Sequence, residues 1–188
     1  MKCAQFFREF IKRPKQVGTL NPSSQILSKE MARQIDGASN VIEFGGGQGA
    51  VTLQILKRLP ENGRLTSFEI NPNFCEDLQG INDPRLKVIN DDAANCERYL
   101  DSVDYIVSSL PLRVFEKSHR TRILDISSKS KKYVQLQYSP FLRKRLDSYF
   151  KKIRTKFVLR NIPPAIIYIC EASTKSVPSD AHPSLIKV

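Results

Sequence analysis

The sequence predicts an α/β fold, an open and mostly parallel sheet of seven strands ending in an antiparallel hairpin, with helices on both faces. Three observations predict it. From residue 40 onward, short β-branched runs alternate with helical patterns, as in a parallel sheet buried between helices. A glycine-rich turn, Glu43-Phe44-Gly45-Gly46-Gly47-Gln48-Gly49, stands directly between the first of those runs and the first following helix. Near the C-terminus, apolar runs at 156–161 and 165–171 are joined by the tight Asn161-Ile162-Pro163-Pro164 turn, and so short a connection imposes antiparallel pairing.

Element by element, residues 2–13 read as an amphipathic helix. Cys3, Phe6, Phe7, Phe10 and Ile11 recur at helical spacing among Lys2, Arg8, Lys12 and Arg13, and Pro14 stops it. Asn21-Pro22 supplies an N-cap and an N1 proline for a second helix carrying Ile26, Leu27, Met31 and Ile35 on one face. Strands are expected at 40–44, 64–70, 85–90, 103–108 and 133–138, and helices at 49–59, 72–78, 115–126 and 141–153. The chain thus divides into an N-terminal amphipathic helix (1–16), an α/β domain (17–175) and a loose tail (176–188) containing Pro178 and Pro183.

Composition narrows the setting. The 188 residues carry 30 Lys+Arg against 19 Asp+Glu, a net charge of +11, which attracts polyanions: nucleic acid or an anionic membrane surface. Cys3, Cys75, Cys96 and Cys170 form no CxxC pair, so neither a zinc site nor a disulfide framework is expected. His119 and His182 are too few for a metal site, and neither is expected near the ligand site. No apolar run approaches the ~20 residues that cross a bilayer, and the charges within residues 2–13 do not suit a signal peptide. The expectation is a cytoplasmic protein, without a metal, whose membrane contact is peripheral.

In such sheets a ligand lies outside the carboxyl ends of the strands, where strand order reverses. Gly45 and Gly47 allow a tight turn and close approach of backbone to ligand, and Gly49 lets the next helix pack on the strand. Glu69 closes the second strand about 20 residues beyond the turn, the spacing at which a carboxylate takes both hydroxyls of a ribose. After the third strand, the aspartates of Asp91-Asp92-Ala93 could accept from an adenine amino group. Together these features point to a nucleotide-like cofactor.

The ExGxGxG spelling, rather than GxGxxG, resembles the class I S-adenosylmethionine methyltransferases, which have a Rossmann-like fold. The resemblance implies S-adenosylmethionine as cofactor. It places Glu43, Gly45, Gly47 and Gly49 by its methionine part, Glu69 and Ile70 by the ribose, Asp92 and Ala93 by the adenine, and Ser108 at the same edge. Amino-methyltransferases acting on nucleobases carry an Asn-Leu-Pro-Tyr-like motif after the fourth strand. Here the stretch is Ser109-Leu110-Pro111-Leu112, lacking both the amide that holds a base amine and the ring that stacks on the base.

Val17-Gly18-Thr19-Leu20-Asn21-Pro22-Ser23-Ser24, the glycine turn, Ser109–Leu112 and Asn161-Ile162-Pro163-Pro164-Ala165 together resemble the bacterial phospholipid N-methyltransferases, relatives of the rRNA adenine dimethyltransferases. Gln135-Leu136-Gln137-Tyr138 stands where that family usually has Gln-Phe-Thr-Tyr, and Gly45-Gly46-Gly47 and Ser108-Ser109 also depart from its commonest spelling. The resemblance implies N-methylation of a membrane aminolipid, phosphatidylethanolamine and its methylated forms foremost. Ser109 and Tyr138 would stand at the reacting amine, with Tyr138 lending a ring face to the methylated ammonium. Residues 2–13 would meet anionic headgroups at the inner face of the cell membrane. Nucleic-acid adenine, ornithine-lipid and small-molecule amine methylation are the alternatives, with a non-enzymatic lipid-binding module as a different class.

Overall fold

The computed structural model describes residues 22–99, 103–161 and 163–172. The amphipathic helix expected at 2–13, the stretch before Pro22 and the tail beyond 176 lie outside the described residues.

The chain opens with α1 (Pro22–Ala32), followed by a 3-10 turn at Arg33–Ile35, and then alternates β1 (Asn40–Phe44), α2 (Ala50–Leu56), β2 (Arg64–Phe68), α3 (Pro72–Gln79) and β3 (Leu86–Ile89). A 3-10 helix at Ala93–Arg98 leads to β4 (Tyr105–Ser108), α4 (Lys117–Ser128), β5 (Lys132–Gln137), a 3-10 turn at Pro140–Leu142, the short α5 (Arg143–Leu146), β6 (Phe150–Val158) and β7 (Ala165–Ala172). The sheet runs β3-β2-β1-β4-β5-β7-β6. The first five strands are mutually parallel, whereas β7 lies antiparallel between β5 and β6. Strand order reverses between β1 and β4, so a crevice opens beyond Phe44 and Ser108.

Two apolar layers sandwich the sheet because successive strand residues face opposite sides. Val41, Leu65, Val107, Val134 and Ile167 join Leu27 and Met31 of α1 and Ile55 of α2. Ile42, Phe68, Ile106, Tyr133 and Tyr168 join Ile123 and Leu124 of α4. Helix starts follow local chemistry: at α3 the Asn71 side chain accepts from Asn73 N–H at 3.0 Å, with Pro72 at N1.

The main departure from expectation is the helix at 141–153. Only Arg143–Leu146 is α-helical, and from Phe150 the chain is already a strand that pairs with β7 through Val158. Ile153, Thr155 and Phe157 recur at period two, which suits a pleated edge, and the buried β7 offers it a full antiparallel ladder. The hairpin itself is as expected, with its first strand beginning six residues earlier than the sequence pattern implied.

Candidate functional site

The glycine turn crosses from β1 to α2 at the carboxyl edge of the sheet. Gly45, Gly47 and Gly49 have φ of 76°, 52° and 82°, the left-handed region that a side chain makes costly. Gly45 N–H donates to Phe68 O at 2.8 Å, holding the turn against β2. Gly46, which sequence reasoning passed over, is the tightest point for a different reason. A Cβ there would lie 2.4 Å from Ser67 Oγ and 2.8 Å from Leu78 Cδ1, so this backbone packs directly on β2 and α3.

Beneath the turn lies Glu43, with no solvent exposure. Its Oε2 accepts from Thr52 Oγ1 at 2.6 Å and Ser67 Oγ at 2.8 Å, while Oε1 is buried with no hydrogen-bond partner among the described residues. Burial, aided by the charge of Glu69 and opposed by the two hydroxyl donors, pushes the Glu43 carboxyl up to about 7. A buried acid with an unfilled oxygen beside a side-chain-free turn fits a ligand carrying positive charge, as an amino acid ammonium or a sulfonium would.

Glu69, also buried, spans the neighbouring backbone. Its Oε2 accepts from Gly47 N–H at 2.9 Å and its Oε1 from Asn71 N–H at 2.8 Å. These contacts hold the carboxylate at the edge, and each oxygen keeps a further lone pair for a hydroxyl. Ile70, the next residue, is 53% exposed.

Asp92 caps the 3-10 helix after β3 by accepting from Ala94 N–H at 2.8 Å, with Ala93 buried beside it. Asp91 accepts from Tyr99 OH, Asn95 Nδ2 and Asp92 N–H, and these donors hold its carboxyl below the usual range. His119 of α4 lies with Nε2 3.4 Å from Asp92 Oδ1 and its ring edge-on to Phe115. This overturns the expectation that no histidine stands near the ligand site, and spacing along the chain could not show it because the approach joins residues from separate βα units.

The loop after β4 forms the other wall. Ser108 is fully buried and its Oγ accepts from Leu110 N–H at 3.3 Å. Ser109 N–H donates to Phe44 O at 3.0 Å, and the Leu110 side chain comes within 3.0 Å of where a Gly45 Cβ would stand. Ser109 therefore abuts the glycine turn. Tyr138 follows the end of β5, half-exposed, at the same edge. The structure thus brings Glu43, the three glycines, Glu69, Asp92 and Ser109 to one edge across the β1/β4 reversal. Among the described residues no group of His, Cys, Asp or Glu could hold a metal.

Comparisons with known proteins agree with this geometry. The family model described as ribosomal RNA adenine dimethylase matches residues 20–158. An ornithine lipid N-methyltransferase of Singulisphaera acidiphila is 27% identical over 185 residues, covering 91% of this chain and 96% of that protein. Among solved structures, the N-methyltransferase NodS of Bradyrhizobium japonicum has a TM-score of 0.67 at 12% identity over 81% of this chain and 98% of its own. The magnesium protoporphyrin IX methyltransferase of Synechocystis, solved with bound S-adenosylmethionine, has a TM-score of 0.63 at 12% identity, covering 80% and 79% of the two chains. The family match, the cradle and the fold lead to one conclusion: the chain belongs to the ribosomal RNA adenine dimethylase family and is a class I methyltransferase that uses S-adenosylmethionine.

Proposed function

We propose that the chain methylates the amine of a membrane aminolipid, with ornithine lipid and phosphatidylethanolamine as the candidate acceptors. The observation that carries this reading is the end-to-end similarity to an ornithine lipid N-methyltransferase. Ser109-Leu110-Pro111-Leu112 supports it, having neither an amide nor a ring with which to grip a base.

In this reading Glu43 and the Gly45–Gly49 turn hold the methionine part of the cofactor, Glu69 and Ile70 the ribose, and Asp92 and Ala93 the adenine. When bound, the cofactor supplies an activated methyl: the amine lone pair forms the N–C bond as the S–C pair returns to sulfur, leaving a neutral thioether. The lipid ammonium first loses its proton to water, and Ser109 and Tyr138 orient the amine in line.

The rim of the site favours an apolar, anionic surface as the source of the acceptor. Phe141 (75% exposed) follows β5 and Leu159 (74%) follows β6, with Arg113 set over the Phe141 ring at 5.0 Å and exposed Lys144, Arg145 and Arg160 nearby in the chain. No helix among the described residues is long and apolar enough to cross a membrane. The proposed attachment is peripheral, at the inner face of the cell membrane, with residues 2–13 assisting the rim.

Labelled S-adenosylmethionine offered with ornithine-lipid vesicles, phosphatidylethanolamine vesicles and unmodified ribosomal RNA in turn tests this. Label in a lipid amine is expected, and label confined to RNA overturns the reading.

A further inference from the structure

The loop that meets the acceptor has almost no free backbone acceptors, and two buried glutamines are the reason. Leu110 O receives Leu112 N–H at 2.9 Å, Gln135 Nε2 at 3.0 Å and Gln137 Nε2 at 3.1 Å. Three donors on one carbonyl exceed its two lone pairs, so nothing remains for a ligand. Pro111 O receives Val114 N–H at 3.0 Å, and Leu112 O receives Arg120 Nη1 at 3.3 Å. Gln135 Nε2 has two hydrogens for three acceptors: Leu136 O at 2.6 Å is nearest, then Leu110 O at 3.0 Å, with Ser108 O farthest at 3.4 Å. Among the described residues, the carbonyls of Leu110, Pro111 and Leu112 each receive a donor, whereas no donor reaches an acceptor of Ser109.

Both glutamines are built in rather than incidental. Gln135 is fully buried and Gln137 is 5% exposed. The Gln135 Oε1 is held in turn by the buried Tyr133 hydroxyl, which fixes the amide with its NH2 toward Leu110. Gln135 is thereby held at both ends of its amide, which rigidifies its contact with Leu110.

We propose that Gln135 and Gln137 are positioning residues that determine specificity, filling the Leu110 carbonyl so that Ser109 is the one residue of this loop left to accept from the amine, with the Tyr138 ring beside it. A loop of this kind holds an amine by place rather than by counting its N–H groups. It therefore serves primary, secondary and tertiary amines with similar efficiency, although each round of methylation removes one N–H. The inference deepens the aminolipid reading and takes from it that an amine is the acceptor.

The test measures each round separately in the full chain. Vesicles of phosphatidylethanolamine and its N-monomethyl and N,N-dimethyl forms are offered with S-adenosylmethionine, and kcat/KM is expected to stay within about threefold across the series. A fall of more than about tenfold per round, the loss expected when a gripped N–H disappears, overturns the inference. In the Gln135→Met/Gln137→Met double variant, the Leu110 carbonyl keeps the Leu112 N–H alone and opens one lone pair to the amine. Monomethyl product should then rise about three- to tenfold over further methylated product, with S-adenosylhomocysteine affinity within about twofold of wild type. An unchanged product ratio at intact cofactor affinity counts against the proposal, because a merely structural role lowers all rounds together. If wild type labels only RNA, the aminolipid reading fails, and the ratio of dimethylated to monomethylated adenine in digests decides this inference instead.

Discussion

The two halves of the sheet meet at the same crevice and are built from opposite materials. On the β3-β2-β1 side, carboxylates do the work: Glu43 is sealed under the turn, Glu69 is pinned by two backbone N–H groups, and Asp92 caps a helix. On the β4-β5-β7-β6 side, the carboxyl edge carries Phe141, Phe157, Leu159 and Tyr138, all half-exposed or more, and β6 carries the basic residues Lys151, Lys152, Arg154 and Lys156 along its length, the first two at its far end. The first half is preorganised for one small cationic ligand, because Glu43 and Glu69 are already desolvated and oriented. The second carries outward-facing apolar groups, with Arg113 over the Phe141 ring, and in the proposed reading these meet a lipid surface.

The sharpest break in this comparison is at Glu43. Its carboxyl titrates near 7 in the folded chain and near 4.5 when unfolded, so between those pH values the folded state holds a proton that the unfolded state has lost. The buried group's contribution therefore weakens as pH rises from about 4.5 to about 7, by about 3 kcal/mol in all, and is flat outside that window. Glu43→Gln removes the titration. Urea unfolding of the cofactor-free chain should show wild type matching the variant near pH 4.5 and falling below it by pH 8. Parallel curves across that range would mean that Glu43 is not the strained acid its burial implies.

A somewhat smaller effect is expected at Gly46. Gly46→Ala places a methyl against Ser67 Oγ and Leu78, costing about 1–3 kcal/mol and displacing the turn. Isothermal titration with S-adenosylhomocysteine should show affinity reduced about thirtyfold. Gly63→Ala, in the turn before β2, serves as the control and should leave that affinity unchanged. Equal losses in both variants would show general loosening rather than a defect of the cradle.

What the sequence disclosed follows the same division. The glycine turn, Glu69 and Asp92 were legible because each is set by local order, a residue type at a fixed place on a strand end. Gly46 was not, since its importance lies in Ser67 and Leu78 reaching it from other elements. The glutamines of β5 and the approach of His119 to Asp92 were hidden for the same reason. The helix expected at 141–153 failed differently. Phe141, Leu142, Leu146, Tyr149, Phe150 and Ile153 satisfy a helical stripe well enough, but from Phe150 a neighbouring strand offers a ladder that spacing alone does not reveal. The sheet's parallel core was read correctly because buried β-branched runs have few other uses.

The smallest effect probes the outer half. If Phe141 and Leu159 enter a bilayer interface, Phe141→Ser and Leu159→Ser each remove apolar area that only a membrane buries, so folding is little changed while attachment suffers. Partial insertion of one such side chain contributes roughly 1–2 kcal/mol, about a tenfold change in partitioning. Sedimentation with anionic phosphatidylglycerol vesicles should show that loss in each variant, with S-adenosylhomocysteine affinity as in wild type. The control is Leu53→Ser, equally apolar but on α2 and 39% exposed, away from the rim. Loss of attachment there too would mean that charge and general greasiness hold the protein to lipid. Loss confined to Phe141 and Leu159 would make the carboxyl edge the contacting face, the one from which an acceptor headgroup reaches Ser109 without leaving the bilayer.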